Sequence, residues 1–536
     1  MKGPFNTKVS KLKLSYLRFD EEGLAQKNND LKELTKTPLL TSKSLQDYYE
    51  ILIFLVAYPS NITELSLVEK ELKRCTAFVK KNKAKCADIF SNSGLPFTPY
   101  ISRYSHDCNC RLLSLPYADV SLNGFENSSI ELGEALKHTL PIIEISDASA
   151  GWKNNELLDV LNIPIRNRLQ FICSELAKLN NTPFIKDHFF DGLGLYTEIN
   201  PKSPTLSKAF NRLNFAKPFF HSSILKKFDF NSLINSPLPV QTELTVENKT
   251  SLINVIENSL TILGRETDPI TYMDSRSLRY FELDHGISVA IYGMTAERQL
   301  PLESYVGYTL FKNGLPSAYG GAWIFGEAAY FGINIFESFR GGESGFVLCQ
   351  LLRVYRQAFK VNYIEVEPYQ YGLNNPEGIQ SGAFWFYYRF GFRPVDKSLA
   401  ALAAKETIKL SKVKWYRTSE KILLSFTESN IALNFNKKTP VKVQDVALKI
   451  SQLINKKYKG DRILAVAKSK ELFKKNSGLN TVLNNDQEKV LEQVALWAEA
   501  YDIKKSSQLK LMVGMIFTKP DSIEEYQQLI LDFFNS

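Results

Sequence analysis

Cysteine is scarce in this 536-residue chain: six residues, at positions 75, 86, 108, 110, 173 and 349. That is too few, too widely spread, for the disulfide framework that holds small secreted domains together. Long apolar runs are also missing. The longest strongly apolar stretch, Ile51 to Tyr58, falls far short of the roughly 20 residues a bilayer-spanning helix needs. The opening "MKGPFNTKVSKLKLSY" has lysines but no apolar signal-peptide core, and the expectation is a cytoplasmic protein. No internal repeat and no low-complexity segment is present. Metal-ligand spacing is nearly absent as well. The run His106-Asp107-Cys108-Asn109-Cys110 offers imidazole and thiols, but the spacing is Cys-x-Cys and no second pair follows at a finger-like distance. No metal is expected, and the two cysteines read as small residues beside a strand-like "RLLSLPYADVSL".

What the chain does have is apolar and aromatic mass. Apolar residues make up 44% and charged residues 23%, with 35 Phe and 25 Tyr, enough to fill several cores in roughly three domains of about 150 residues. The net charge of +9 is uneven: residues 401–480 carry 18 Lys and Arg against 6 Asp and Glu. That segment could meet tRNA or another polyanion. Its lysines fall in no tight stripe, however, which is also the pattern of a solvated surface.

Four segments follow from the patterning. Residues 1–40 are polar and read as an N-terminal arm. Residues 41–245 are mixed and mostly helical: "NITELSLVEKELKRCTAFVKKN" repeats apolar residues at one-face helical spacing, and "NNELLDVLNIPIRNRLQFICSELAKL" gives two helical pieces split at Pro164. Residues 246–400 alternate helix and strand signals. A helix is expected from Ser251 to Leu263, ended by Gly264. "GISVAIYGM" reads as a strand, and 304–326 as a hairpin around Asn313-Gly314. Residues 330–338 and 362–367 are further strands, with a helix over 344–359 between them. Residues 401–536 are basic and mainly helical.

Within the third segment, "FRGGESG" (339–345) puts glycines where a strand gives way to a helix. Backbone N–H groups at a helix start lack intrahelical partners and the helix dipole adds positive charge, so an anion is favoured there. Residues 305–395 taken together are hairpin, strand, Arg-Gly-Gly loop, helix, "YIEVE", then "QSGAFWFYYRFGFRP". In that order they resemble the GNAT superfamily of N-acyltransferases, which pairs an Arg-Gly-x-Gly-x-Gly loop with an Asn-x-x-Ala and a Tyr-x-x-x-Gly-Phe element. The resemblance implies an α+β fold: a GNAT-like mixed, mostly antiparallel sheet with flanking helices, here with helical N- and C-terminal regions added.

It also implies site residues. Arg340, Gly341, Gly342, Ser344 and Gly345 correspond to the loop that grips the pyrophosphate of acyl-CoA or acetyl-CoA. Gln380 stands where the family has Asn. Tyr387 corresponds to the tyrosine that protonates the leaving thiolate. Glu337, Glu365 and Glu367 lie on or beside the two strands expected to splay around the pantetheine arm, where one could take a proton from the amine. Two departures stand out. Glu343 replaces the middle glycine, and "YQYGLNNPEGI" is inserted after the second splayed strand, bringing Asn374 and Asn375. The reading is an acyl-CoA-dependent N-acyltransferase acting on an unidentified small-molecule or peptide amine. An aminoacyl-tRNA-dependent transferase, or a non-catalytic GNAT-like binding or scaffold protein, are the alternatives.

Overall fold

A computed structural model describes residues 4–179 and 183–536. The chain divides into two compact units. The first comprises Met1–Ile224, Leu244–Thr271 and Phe311–Ser317, and the second Leu225–Glu243, Tyr272–Leu310 and Ala318–Ser536.

The first unit begins with packed helices, Pro4–Ser15 and Glu21–Thr35, where the composition suggests a loose arm. Phe5, Val9 and Leu12 recur on one helical face and are buried, as are Leu31 and Leu34. Buried polar residues with partners contribute to the segment's polar look: Lys27 Nζ lies 2.7 Å from a Glu64 carboxylate oxygen, and Ser15 donates to Asp30 at 3.2 Å. The apolar run at 51–58 is the second half of the Lys43–Ala57 helix and its C-cap, Tyr58, apolar on every side and buried throughout. The Ile62–Lys81 helix follows, its first turn capped by Asn61, which accepts from the Glu64 N–H at 2.9 Å. Pro164 lies between the Asn154–Val160 and Arg168–Leu176 helices. Strands β1 (Tyr100–Ser102), β2 (Ala118–Phe125) and β3 (Leu195–Pro201) form an antiparallel sheet with β3 central. The helix expected from Ser251 starts at Val246, because Thr245 caps it by accepting from the Asn248 N–H, and it groups with this unit.

The second unit is built on an eight-stranded sheet. Its strands are β4 (Arg279–Glu282), β5 (Ile287–Tyr292), β6 (Ser304–Lys312), β7 (Leu315–Phe325), β8 (Ala328–Ile335), β9 (Tyr363–Val366), β10 (Arg393–Pro394) and β11 (Ile431–Asn434). The order across the sheet is β10-β11-β9-β8-β7-β6-β5-β4. Pairs β4/β5, β7/β8, β9/β11 and β11/β10 are antiparallel, while β8 and β9 are parallel. The β6–β7 turn uses Asn313 and Gly314, both at positive φ (46° and 79°), as a two-residue hairpin requires. The sheet does not stop at residue 400, since β11 inserts between β9 and β10. A parallel strand pair needs a long crossover, here supplied by the Ser344–Phe359 helix, which buries Leu348, Leu351, Leu352, Val354 and Tyr355. The Tyr355 hydroxyl donates to the Val306 carbonyl at 2.8 Å. The helices Asn485–Ala500, Ser506–Thr518 and Ile523–Phe534 close around the fully buried Trp497. Among the described residues, no helix is long and apolar enough to cross a membrane.

Candidate functional site: the gap between two parallel strands

Strands β8 and β9 pair over three registers only, Ala328 with Tyr363, Ala329 with Ile364 and Tyr330 with Glu365. Beyond that point β8 runs on to Ile335, whereas β9 ends at Val366 and the chain turns into a short 3-10 helix, Pro368–Tyr371. The two strands therefore part, and backbone groups of β8 past Tyr330 lose their β9 ladder. One side chain spans the gap. Gln370, from the 3-10 turn, accepts at Oε1 from the Ile333 N–H (3.3 Å) and from the Tyr387 hydroxyl (3.1 Å). A backbone amide and a phenol thus converge on a single amide carbonyl oxygen. Tyr387 is 3% exposed, and burial holds its hydroxyl protonated, far above the ordinary tyrosine range. Gln370 was not among the residues the sequence singled out; it lies in the inserted stretch, and nothing in its spacing ties it to Ile333.

The glycine loop lies at the start of the Ser344–Phe359 helix. Gly341 has φ of 87°, a conformation open to glycine at little cost. At Gly345 a β-carbon would come within 2.9 Å of the Phe390 ring and 3.1 Å of the Arg389 guanidinium, so absence of a side chain lets an arginine approach the first turn. Ser344 is the first residue of the helix, and no side chain caps its N-terminus. Glu343 faces inward. It is 1% exposed, and its Oε1 accepts from the Leu225 N–H at 2.9 Å. Of the nearby arginines, Arg340 pairs with Glu377, and Arg353 donates to the Ser236 and Pro237 carbonyls.

The other sequence candidates separate. Glu365 is buried at 3% and bound on both oxygens, by Asn430 and by Lys442, each at 2.6 Å. Burial opposes charge on Lys442, but the bond to Glu365 prevails and raises its pKa. Glu365 is thereby a structural link from β9 to the residues on either side of β11. Glu337 and Glu367 are exposed, the first opening the turn after β8 and the second at the end of β9. Gln380 is exposed on the short Pro376–Ser381 helix. Asn375 caps that helix, accepting from the Gly378 N–H and donating to the Tyr369 carbonyl. Not all of "FWFYYRF" faces the gap: Phe384 stacks on Phe426 with centroids 4.0 Å apart and is core.

Comparison with family models, curated proteins and solved structures returned no match. The site must be read from its own geometry.

The basic 401–480 segment is partly neutralised. Lys442, Lys457, Lys470 and Lys474 pair with carboxylates outside it, at Glu365, Glu499 and Glu488, and Lys409 and Lys468 pair within it.

Proposed function

We propose that the second unit is a GNAT-like N-acyltransferase that passes an acyl group from acyl-CoA to an amine. The observation that carries this reading is the pair of donors converging on Gln370 Oε1. A thioester carbonyl in the same place would receive the Ile333 N–H and the Tyr387 O–H, and the negative charge that grows on it as the amine attacks would be met by donors already in position. The tyrosine, kept protonated by burial, stays a hydrogen-bond donor to that oxygen at neutral pH. The opening between β8 and β9 is the width of one side chain today, and Gln370 has to swing out for a pantetheine arm to enter. Glu337 and Glu367, exposed just after the ends of β8 and β9, are the carboxylates assigned to take the incoming amine's proton.

Glu343 turns its carboxylate into the fold, where it accepts from the Leu225 N–H. The Gly342 N–H is taken by the Phe339 carbonyl, so an anion at the loop would rest on the backbone at Gly341, Ser344 and Gly345 with Arg389 alongside. Arg340 would exchange Glu377 for a phosphate.

The test is thermal shift and calorimetry with acetyl-CoA and longer acyl-CoAs on the wild type and on Gln370→Ala. Ligand that binds only the folded state raises the melting temperature, and removing the glutamine should enlarge the shift. Tyr387→Phe should keep binding and lose turnover with an amine acceptor by roughly 10- to 1,000-fold. Absence of any shift with every acyl-CoA, in both proteins, would overturn the reading. Retention on tRNA that falls steeply with salt would replace it with the aminoacyl-tRNA alternative.

A further inference from the structure

The first unit contains a cluster that the proposed transferase chemistry does not use. The His106–Leu113 helix, which the sequence pattern presents as the flank of a strand, puts Cys110 one turn after His106. His106 is 3% exposed. Its Nδ1 lies 2.9 Å from Asp107 Oδ1 and its Nε2 lies 2.8 Å from the Cys173 carbonyl oxygen. Both acceptors lack a proton to give, so both ring nitrogens must donate, and the ring that satisfies them is the imidazolium. Burial works against that charge, yet the bonds to Asp107 and to the Cys173 carbonyl, with the Cys110 sulfur beside the ring, outweigh it and raise the pKa to about 9. Asp107 is held in turn by Lys186, from the Pro183–Gly192 helix.

Cys110 Sγ sits 3.8 Å from both ring nitrogens. Being equidistant, it lies in line with neither N–H, and those two protons are already committed elsewhere. The imidazolium therefore supplies charge to the sulfur but cannot act as its general base, which argues against a hydrolase-type Cys-His pair. The second cysteine, Cys173 of the Arg168–Leu176 helix, is anchored on the same imidazolium through its carbonyl; hydrogen bonding from its thiol, then the cation, hold the Cys110 thiol far below its ordinary pKa, while Cys173 is pushed far above. Cys110 is exposed and Cys173 buried. Cys108, two residues away, is buried, and that burial pushes its thiol up to about 12.

An exposed thiolate beside a fixed cation, with a protonated thiol in contact behind it, is the arrangement of a peroxidatic and a resolving cysteine. We propose that Cys110 and Cys173 form a redox-active pair that reacts with hydroperoxides. The Cys110 thiolate attacks the peroxide O–O bond, giving the sulfenic acid and releasing hydroxide or alkoxide. The Cys173 thiol then displaces hydroxyl from that sulfur, forming the Cys110–Cys173 disulfide and water. The peroxide is reduced by two electrons, and the two thiols are oxidised by two.

The experiment uses the full chain. First, iodoacetamide labelling of each cysteine is followed by peptide mass spectrometry at pH 6 and pH 8. An ordinary thiol of pKa about 8.5 gains roughly 80-fold in rate across that interval; Cys110 should change less than threefold, and this measurement needs no variant. Second, one equivalent of hydrogen peroxide should remove two hydrogens from the wild-type mass and yield a Cys110–Cys173 linked peptide. With Cys173→Ser the reaction should stop at a dimedone-trapped Cys110 sulfenic acid, and with Cys110→Ser neither product should form. His106→Gln, checked for folding by circular dichroism, should slow labelling of Cys110 at pH 6 at least tenfold. An ordinary pH profile at Cys110, or a folded wild type that forms no linked peptide with peroxide, overturns the proposal.

Discussion

Two buried lysines differ in what surrounds them, and the difference sets how stability responds to pH. Lys27 faces the Glu64 carboxylate at 2.7 Å with both side chains fully buried, so each charge has its counterion. Lys519 is also buried, but its ammonium reaches only the Glu303 main-chain carbonyl at 3.1 Å and the face of Tyr526. Burial pushes its pKa down to about 7, against a smaller opposing pull from the Glu303 carboxylate. The folded state thus holds this proton less tightly than the unfolded chain, where lysine titrates near 10.4. Between pH 7 and 10 the unfolded state binds more protons, and this residue makes stability rise with pH across that window and not below it. Lys519→Met should therefore stabilise the second unit at pH 6 and do little at pH 10. The difference between the two conditions should be on the order of 3 kcal/mol in urea unfolding. An equal effect at both pH values would mean that the buried nitrogen is not the titrating group.

Among the elements, the Ser344–Phe359 helix organises its surroundings through three polar side chains that grip the 225–243 segment. Glu343 accepts from Leu225, Arg353 donates to Ser236, and Gln357 accepts from the Leu238 N–H at 2.7 Å. Removing the Glu343 carboxylate leaves the part-buried Leu225 N–H without that acceptor, which typically costs about 1 kcal/mol. Glu343→Ala should lose that much stability and speed hydrogen exchange of the amides near Leu225, whereas Glu343→Gln, which keeps an accepting oxygen, should lose much less. Indistinguishable exchange in the two variants would argue against this role.

The helix itself was legible to the residue, because 16 positions with one apolar face leave a strong period. The hairpin was legible for a different reason: Asn-Gly carries its own backbone geometry. The hold of Glu343 on the 225–243 segment, a strap across this helix, was not, since a glutamate in a glycine loop has no local feature announcing a partner 118 positions earlier. Gln370 was hidden for the same reason, and Cys110 because its i,i+4 relation to His106 matters only once the segment is known to be helical.

The connectivity of the whole chain determines which pieces can fold. A domain cut at 246–400 follows the sequence resemblance, but the compact units do not. The strap at Leu225–Glu243 belongs with the second unit, Leu244–Thr271 with the first, and the sheet takes its seventh strand across, β11, from beyond residue 400. A 246–400 fragment lacks β11, so β9 loses its antiparallel neighbour on one side and β10 loses its only pairing in the sheet. Unpaired edges of this kind recruit other chains. The fragment would also strip Glu365 of both Asn430 and Lys442, leaving a buried carboxylate with neither donor, a loss of about 3–5 kcal/mol by itself. Such a fragment should aggregate or give a poorly dispersed amide spectrum. Extending it to 225–536 restores the strap, β11 and the helices around Trp497, and should recover dispersion and cooperative unfolding. If instead the 246–400 piece unfolds cooperatively as a monomer, β11 and the strap are accessories to the sheet and not part of what makes it fold.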